Sequence, residues 1–555
     1  MRGTMTCREA IYSEAVLDYL VGAYRGTDYI MERYDPICVM EVDTYRAVMY
    51  KEAAKINSES IGAYGYGAIP HVYGLMADEA LEDSGVARIR RQPYLDLYGQ
   101  DILIGFVDTG IDFTHRAFLN ADNTTRIQSI WDQTIREGED AEGLQYGRVF
   151  TRDEINEALK DDDPFSVISS RDDYGHGTFL AGIAAGNEMR EEGFSGVAPL
   201  SELVVVKCKE AKNSYREFYR VPKEAPCFQE NDIMCGISYI LRVARKERKS
   251  VVICIGMGTN LGNHDGDTPL CGMLDLFNAF PGACILSSVG NEGDARHHYY
   301  LTQEYEEIDI NVEKSTQGFV CELWWQTPGR LEFDVVSPSG STLGITRATA
   351  FTQERKRFTV ENTVVEVLGG EMQEQTRDQV VMFRFENSKA GVWKILVYSS
   401  EPDVKYHMWL PIRQFLSSDT YFVRPNPDVT ICEPGNSRRG ITISAYNPVD
   451  GAFYIQASRG FTQTGVIKPD VTAPGVNLYG PLPKNNFGSM TGTGVATAFT
   501  AGIAALFMQQ YSDFIISGNS VRELLIRGAE RRGDEYPNRE WGYGTVDAYD
   551  SITFE

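Results

Sequence analysis

The chain has 555 residues, which is too long for one ordinary hydrophobic core, so we expect about two to four domains. Its composition, 43% hydrophobic and 24% charged residues, is typical of a globular protein and excludes a disordered or fibrous one. The net charge of −25 opposes binding to nucleic acid or to an anionic membrane surface.

Cysteine spacing and apolar segments give a first expectation about the compartment. The 10 cysteines are scattered, with no C-x-x-C pair and no Cys/His spacing typical of zinc, which favours a reducing intracellular compartment. The first residues lack the long apolar segment of a secretory signal. No stretch approaches about 18 consecutive apolar residues, so we predict no membrane span.

The N-terminal region, residues 1–92, mixes a helical pattern with short apolar runs. The helical pattern extends from Ser13 to Ala23, and the region ends in the basic, turn-prone stretch SGVARIRRQPYLDLYG. We expect a separate α+β unit here.

The next segment, residues 93–296, alternates strands with helices. It opens with the apolar strand DILIGFV, and the later runs LVVVKC, VVICIGMG and ACILSSVG are nearly continuous, as in parallel strands that are buried on both faces. Helical stretches such as DIMCGISYILRVARKER lie between them. The pattern predicts an α/β fold with a mostly parallel sheet, helices on both faces and right-handed crossovers.

The pattern changes over residues 297–436, where strands follow one another with turn residues between them. WWQTPGRLEFDVVSPSG, QVVMFRFEN and GVWKILVYSS are examples. We predict an inserted β-sandwich, jelly-roll-like, in which Trp324 and Trp325 are interpreted as core residues rather than a ligand platform. The α/β pattern returns with GITISAYNPVDG and continues through residues 437–555.

Three short motifs carry the candidate chemistry. Asp108, in DTGID, follows the first strand of the α/β segment, at the strand end where open α/β sheets hold their active sites. His176, in DYGHGT, precedes the apolar helix FLAGIAAG. The third motif, MTGTGVATAFTAG from Met490 to Gly502, carries Gly494 just ahead of another apolar helix.

The chain order of these motifs resembles the subtilisin-like serine proteases. The stretches GNEG, GVAP and KPDVTAPG agree with that resemblance, which covers the chain from about residue 95 to the end outside the insertion. A closer resemblance, to the clostridial Csp group of spore-germination subtilisins, rests on TRIQSIWDQT, GTNLGNHDG, NEGDARHHYY and the β insertion. It implies a prodomain at the N-terminus and a cytoplasmic or spore-associated place in a bacterium.

The resemblance also implies roles for individual residues. His176 corresponds to the general base, and Asp108 to the carboxylate that holds its tautomer. Asn291 corresponds to the oxyanion donor, and Gly256-Met257-Gly258 to the strand that pairs with substrate. The family carries a nucleophilic serine where this chain has Gly494.

Glycine has no hydroxyl, so position 494 cannot be acylated. In subtilisin, the protein on which the magnitude was measured, loss of the nucleophile lowers turnover about 10⁶-fold. Thr491 and Thr493 are displaced by several ångströms, which near-attack geometry does not tolerate. We favour a pseudoprotease with a regulatory or sensing role. The alternatives are a serine endopeptidase represented by an inactivated variant, and a ligand- or glycan-binding role of the insertion.

These considerations extend to partners and ions. Because the chain cannot cut itself, we predict that the prodomain stays attached, with its tail near Arg91-Gln92-Pro93 in the substrate groove. We also expect a protein or peptide partner, such as a related active protease. We predict no cofactor and no metal, since the adjacent His297 and His298 have poor mutual geometry and no third ligand nearby. His264 and Asp265 are expected in a surface loop.

Overall fold

The computed structural model describes residues 5–53, 55–75, 86–90, 96–138, 141, 143–326, 329–371, 378–399, 401, 404–416, 419–533 and 535–553. The expected groove segment Arg91-Gln92-Pro93 lies outside these residues. Among the described helices, none is both long enough and apolar enough to cross a bilayer.

The N-terminal region is an α+β unit built on a small antiparallel sheet. Its elements are α1 (Cys7–Tyr12), β1 (Val16–Gly22), α2 (Thr27–Tyr34), β2 (Cys38–Glu41), β3 (Arg46–Glu52), α3 (Ser58–Tyr64), β4 (Val72–Leu75) and α4 (Val86–Arg90). The sheet has the order β1-β3-β2, and β4 lies outside it.

The predicted helix from Ser13 to Ala23 is wrong, because most of this stretch is strand β1. Leu17 and Tyr19 enter one hydrophobic core, whereas Val16 and Leu20 enter another. Neighbouring residues of a strand point to opposite faces, so a strand between two cores buries both sets. A short, mainly apolar run of this length does not distinguish a helix from a strand.

The α/β part before the insertion contains eight strands and six helices in the described residues. They are β5 (Ile102–Asp108), β6 (Ile127–Asp132), β7 (Arg148–Thr151), α5 (Arg152–Ala158), α6 (Pro164–Val167), α7 (His176–Ala185), β8 (Glu202–Lys207), α8 (Asn213–Phe218), β9 (Phe228–Gln229), α9 (Glu230–Glu247), β10 (Ser250–Ile255), β11 (Met257–Gly258), α10 (Pro269–Phe277) and β12 (Ala283–Ser288).

Two antiparallel sheets then follow as an insertion. Its strands are β13 (His298–Leu301), β14 (Tyr305–Val312), β15 (Gly318–Gln326), β16 (Leu331–Val336), β17 (Thr346–Arg347), β18 (Gln353–Phe358), β19 (Thr363–Glu371), β20 (Asp378–Glu386), β21 (Gly391–Ser399), β22 (Tyr406–Trp409) and β23 (Thr420–Phe422). The sheet orders are β13-β22-β15-β20-β19-β18 and β17-β16-β21-β14-β23. Both Trp324 and Trp325 are fully buried, as core residues are.

The remaining elements complete the α/β body. They are β24 (Ile441–Tyr446), β25 (Val471–Pro474), β26 (Leu478–Leu482), β27 (Asn486–Met490), α11 (Thr493–Gln510), α12 (Gly518–Gly528) and α13 (Ala548–Thr553). The central sheet has the order β25-β24-β12-β10-β5-β8-β6-β7, and only β7 is antiparallel to its neighbour.

Helices cover both faces of this sheet. Along β5, Ile104 and Phe106 enter a core shared with α7 and α11, while Leu103 and Val107 enter a core shared with α9. Alternate residues of each buried strand thus serve opposite layers. The predicted α/β architecture is confirmed.

The cysteines divide into one disulfide and eight buried thiols. Cys7 of α1 is bonded to Cys38 of β2, a pairing that the spacing in the sequence did not indicate. Disulfides persist in oxidising surroundings, so this bond does not support the inference of a reducing compartment that we drew from the cysteine pattern.

His264 and Asp265 are not in an exposed loop, because both are buried. The imidazole of His264 stacks on the indole of Trp409, with ring centroids 4.1 Å apart, and its Nδ1 lies 2.7 Å from the carbonyl oxygen of Ile431. Residues of the insertion therefore bury this turn. The polar sequence around His264 does not indicate that burial.

Candidate active site

Asp108 and His176 meet at the carboxyl edge of the central sheet. Asp108 ends β5 and His176 begins α7. The Nδ1 atom of His176 lies 2.7 Å from Oδ1 of Asp108, and both side chains are buried. A carboxylate in this place fixes which imidazole nitrogen carries the proton and directs the other nitrogen away from the pair.

Asp172 holds the start of α7 in place. Its carboxylate accepts hydrogen bonds from Thr109 Oγ1 at 2.7 Å, from the Gly175 N–H at 2.8 Å, and from the N–H and hydroxyl of Thr178 at 2.8 and 2.7 Å. Gly175 itself precedes the helix with φ of 79°, a conformation that favours glycine. Sequence reasoning missed Asp172; the signal available was a second acidic residue directly before DYGHGT.

Gly256 gives room to the Asp108–His176 pair. A Cβ atom added at Gly256 would lie 2.5 Å from Cδ1 of Leu180, 3.1 Å from Cε1 of His176 and 3.3 Å from Oδ2 of Asp108. The missing side chain thus lets the backbone pass close to the imidazole. The next two residues form β11, so the predicted substrate strand starts beside the histidine.

Strand β11 is already paired with a strand of the N-terminal region. Met257 is opposite Leu75, and Gly258 is opposite Gly74, in antiparallel register. The other edge of β4 pairs with β9, which places β4 between two strands of the α/β body. The position expected for a bound peptide is therefore filled by residues 72–75, upstream of the predicted segment.

Gly494 is the second residue of α11 and is buried. Backbone N–H groups at a helix start carry the positive end of the helix dipole, so this position suits a developing negative charge. Asn291 is tied to the same helix start, because its Oδ1 accepts from the N–H and hydroxyl of Thr493 at 3.2 and 3.0 Å. The amide NH₂ is then the group that Asn291 has to offer an oxyanion.

The hydroxyl groups beside Gly494 have other partners. Thr493 Oγ1 donates to Asn291 Oδ1, and Thr491 Oγ1 accepts from the N–H of Asn477 at 3.3 Å. These contacts support the sequence-based argument that neither threonine replaces a serine at position 494.

The histidines considered for a metal have separate partners. His297 Nδ1 lies 2.6 Å from Glu292 Oε2, whereas His298 Nε2 lies 2.9 Å from Nδ1 of His407. Within the described part of the chain, no three histidine, cysteine or acidic side chains are grouped as metal ligands.

A comparison with known protein families identifies the family to which most of the α/β body is similar. The model of the subtilase family matches residues 99–317 and 419–544, which include the four candidate catalytic residues Asp108, His176, Asn291 and Gly494. The unmatched stretch between the two ranges lies within the two-sheet insertion.

Individual relatives cover the chain to different extents. The chain is 37% identical to serine protease AprX of Bacillus subtilis over 143 residues, 22% of this chain and 32% of AprX. It is 29% identical to a C5a peptidase of Streptococcus pyogenes over 177 residues, 29% of this chain and 15% of that protein. It thus spans about a third or less of these curated relatives.

A solved structure matches far more of the molecule. The CspB protease of Clostridium perfringens superimposes with a TM-score of 0.74 and 27% sequence identity, covering 84% of this chain and 95% of that one. Together with the family model, which matches more than half of the chain, this similarity shows that the chain belongs to the subtilase family of serine proteases.

Proposed function

We propose that the chain is a catalytically inactive subtilase with a regulatory or sensing role. One observation carries the proposal: a glycine occupies the start of α11, the place where the family's nucleophile is expected, while the Asp108–His176 pair remains assembled at 2.7 Å. A base without a nucleophile cannot form an acyl-enzyme. What such a site retains is peptide binding through β11 and charge stabilisation through Asn291 and the helix start.

The proposal includes a retained prodomain. We assign residues 1–92 to that role, residues 93–296 and 437–555 to the subtilase body, and residues 297–436 to the insertion. The support is the pairing of β4 with β11. The register brings Leu75 opposite Met257, so the chain leaves β4 in the direction of Gly256, beside the imidazole.

The decisive experiment restores the missing hydroxyl. In Gly494→Ser, we expect labelling at residue 494 by a fluorophosphonate probe and cleavage of the chain between Leu75 and residue 93, both of which mass spectrometry detects. The matched control is Gly494→Ser combined with His176→Ala, which should lose labelling and cleavage together. The unaltered chain should show neither.

Two results would contradict the proposal. Labelling of the unaltered chain at any serine or threonine would show a nucleophile elsewhere. A Gly494→Ser variant that folds but stays inert would contradict the claim that the site lacks only its nucleophile at position 494.

A serine endopeptidase present here as an inactivated variant is the second candidate, and the assembled Asp108–His176 pair favours it. It predicts that Gly494→Ser not only cuts itself but also turns over added peptides repeatedly. A pseudoprotease with a retained prodomain predicts self-cleavage without sustained turnover. Steady-state hydrolysis of a peptide library by the serine variant separates the two.

The similarity to the CspB protease supports a proposed setting. We propose that the chain acts in or on bacterial spores, in the cytoplasm or spore layers, together with a related active protease as partner. Affinity capture from sporulating cells with the unaltered chain, followed by fluorophosphonate labelling of the captured proteins, tests for that protease.

A further inference from the structure

A cleft of about 900 Å³ lies between the N-terminal region and the α/β body. Helix α2, the ends of β1 and β3, and the end of α3 form walls on one side, and α10 with residues 266–268 and 438–439 forms walls on the other. Small-molecule sites occupy roughly 300–1,000 Å³, so the cleft has the size of one. Of the described residues that line it, none belongs to the candidate active site.

The charge of this cleft is opposite to that of the molecule. The chain carries a net charge of −25, yet arginines outnumber acidic residues in the lining. The charged lining residues are Arg25, Arg33, Arg46, Arg438 and Arg439, together with Asp267 and Asp275. On the body side, Arg438 pairs with Asp267 at 3.2 Å and the backbone N–H of Arg439 donates to Asp275. On the other side, Arg46 pairs with Asp43 at 2.8 Å.

Two arginines of the N-terminal region are held by aromatic rings instead of carboxylates. The guanidinium carbons of Arg25 and Arg33 lie 5.0 and 5.9 Å from the ring centroid of Tyr29, and Arg33 also lies 5.4 Å from that of Tyr34. Among the described side chains, no carboxylate forms a salt bridge with either arginine. Stacking occupies the faces of a guanidinium rather than its N–H edges. Nη1 of Arg33 also donates a hydrogen bond to the hydroxyl of Tyr29 at 2.8 Å, and the other N–H groups of the two arginines are the ones that can meet an anion.

Aromatic rings, tilted relative to one another, lie beside these cations. Tyr24 and Tyr45 line the same cleft with their ring centroids 5.9 Å apart, and they are 69% and 43% exposed. Tyr64 adds a third ring, 5.7 Å from that of Tyr34. Aromatic rings next to arginine edges suit a ligand that is apolar and planar at one end and charged at the other.

We propose that this cleft binds a small organic anion whose carboxylate or phosphate meets Arg25 and Arg33 and whose aromatic body packs against the tyrosine rings. The proposal holds for a catalytic and for a non-catalytic subtilase alike, since the cleft shares no residue with the active site. Because the walls come from both the N-terminal region and the body, a bound ligand stabilises the contact between them.

The test uses three probes on the full chain. Titration calorimetry should show saturable binding of 2-naphthoate. The uncharged 2-naphthamide and inorganic phosphate should each bind with an affinity at least about tenfold lower than that of 2-naphthoate. Equal affinity for naphthoate and naphthamide would overturn the role of the arginines. Equal affinity for phosphate and naphthoate would overturn the role of the tyrosines, and failure of naphthoate to saturate would overturn the site.

Variants locate the binding on the surface. Arg25→Ala and Arg33→Ala should each weaken 2-naphthoate about tenfold, because each removes a charge-assisted contact. Both side chains are exposed, so these variants should keep the circular dichroism spectrum of the parent. Arg190→Ala is the control, since that exposed arginine lies outside the cleft. Binding that is unchanged in the double variant Arg25→Ala/Arg33→Ala would place naphthoate elsewhere and overturn the proposal.

Discussion

Asp172 illustrates how much one residue contributes to the candidate active site. Its buried carboxylate receives four hydrogen bonds that fix the turn before His176, whereas the side chain of the next residue, Asp173, is exposed and pairs with Lys207. Asp172 is thus a buried hydrogen-bond acceptor, whereas the adjacent Asp173 is a surface residue. The sequence alone does not separate them, because which of the two faces inward depends on the turn around Gly175.

The difference predicts unequal mutational effects. Asp172→Ala should lower the free energy of unfolding by about 3 kcal/mol, since it leaves several buried donors without an acceptor. Asp173→Ala, the neighbouring control, should change it by about 0.5 kcal/mol or less. Chemical denaturation followed by circular dichroism measures both values, and similar losses in the two variants would contradict the structural role of Asp172.

At the scale of single elements, the sequence predicts the strand and helices that carry the motifs. It does not predict the short strand β4 that pairs beside them. The strand before Asp108 and the helices after His176 and Gly494 follow from continuous apolar runs. Strand β4 carries no comparable signal, because four residues acquire their pairing from β9 and β11 rather than from their own pattern. Tertiary contact decides such short elements.

The fit of β4 can be tested through Gly74. A Cβ atom there would lie 2.5 Å from Ile412 Cδ1 and 2.8 Å from Gln414 Oε1. Side chains of the insertion therefore leave little room for a side chain at position 74. Gly74→Val should cost about 1–3 kcal/mol and release the N-terminal region to limited trypsin digestion. Gly62→Ala is the control, because a Cβ there meets nothing within 4 Å. Equal trypsin resistance of the two variants would show that β4 is not held by this fit.

At the scale of the whole molecule, buried acids lie where the three parts meet. Glu322 of the insertion accepts hydrogen bonds from Tyr66 of the N-terminal region and from the N–H of Gly262 in the body. Burial raises the pKa of Glu230 and of Glu322 to about 7. Burial raises the pKa of Glu433 to about 8, and the nearby Asp265, Asp267 and Glu230 add to the increase.

These pKa values predict how stability depends on pH. A carboxyl group whose pKa is higher in the folded state binds more protons there than in the unfolded chain, so the contribution of these three groups to the free energy of unfolding falls as pH rises between about 4.5 and about 8. The buried His71, His264 and His407, whose pKa is lowered to about 4 or below, contribute a slope of the opposite sign below about pH 6.5. In Glu433→Gln that fall should be shallower by about 1.4 kcal/mol per pH unit. Denaturation midpoints across this range measure the slope. Glu188→Gln, with an exposed side chain, should keep the parental slope, and an unchanged slope in Glu433→Gln would contradict the assignment.

The pairing of β4 with β11 has a consequence for any free peptide that binds at β11. Because β4 is part of the same chain as β11, a free peptide at β11 competes with an intramolecular strand, whose binding does not depend on the protein concentration. A free peptide of micromolar affinity therefore has to be abundant before it displaces β4. Restoring a serine at position 494 would then produce a protease that cuts its own tether before it meets any other protein.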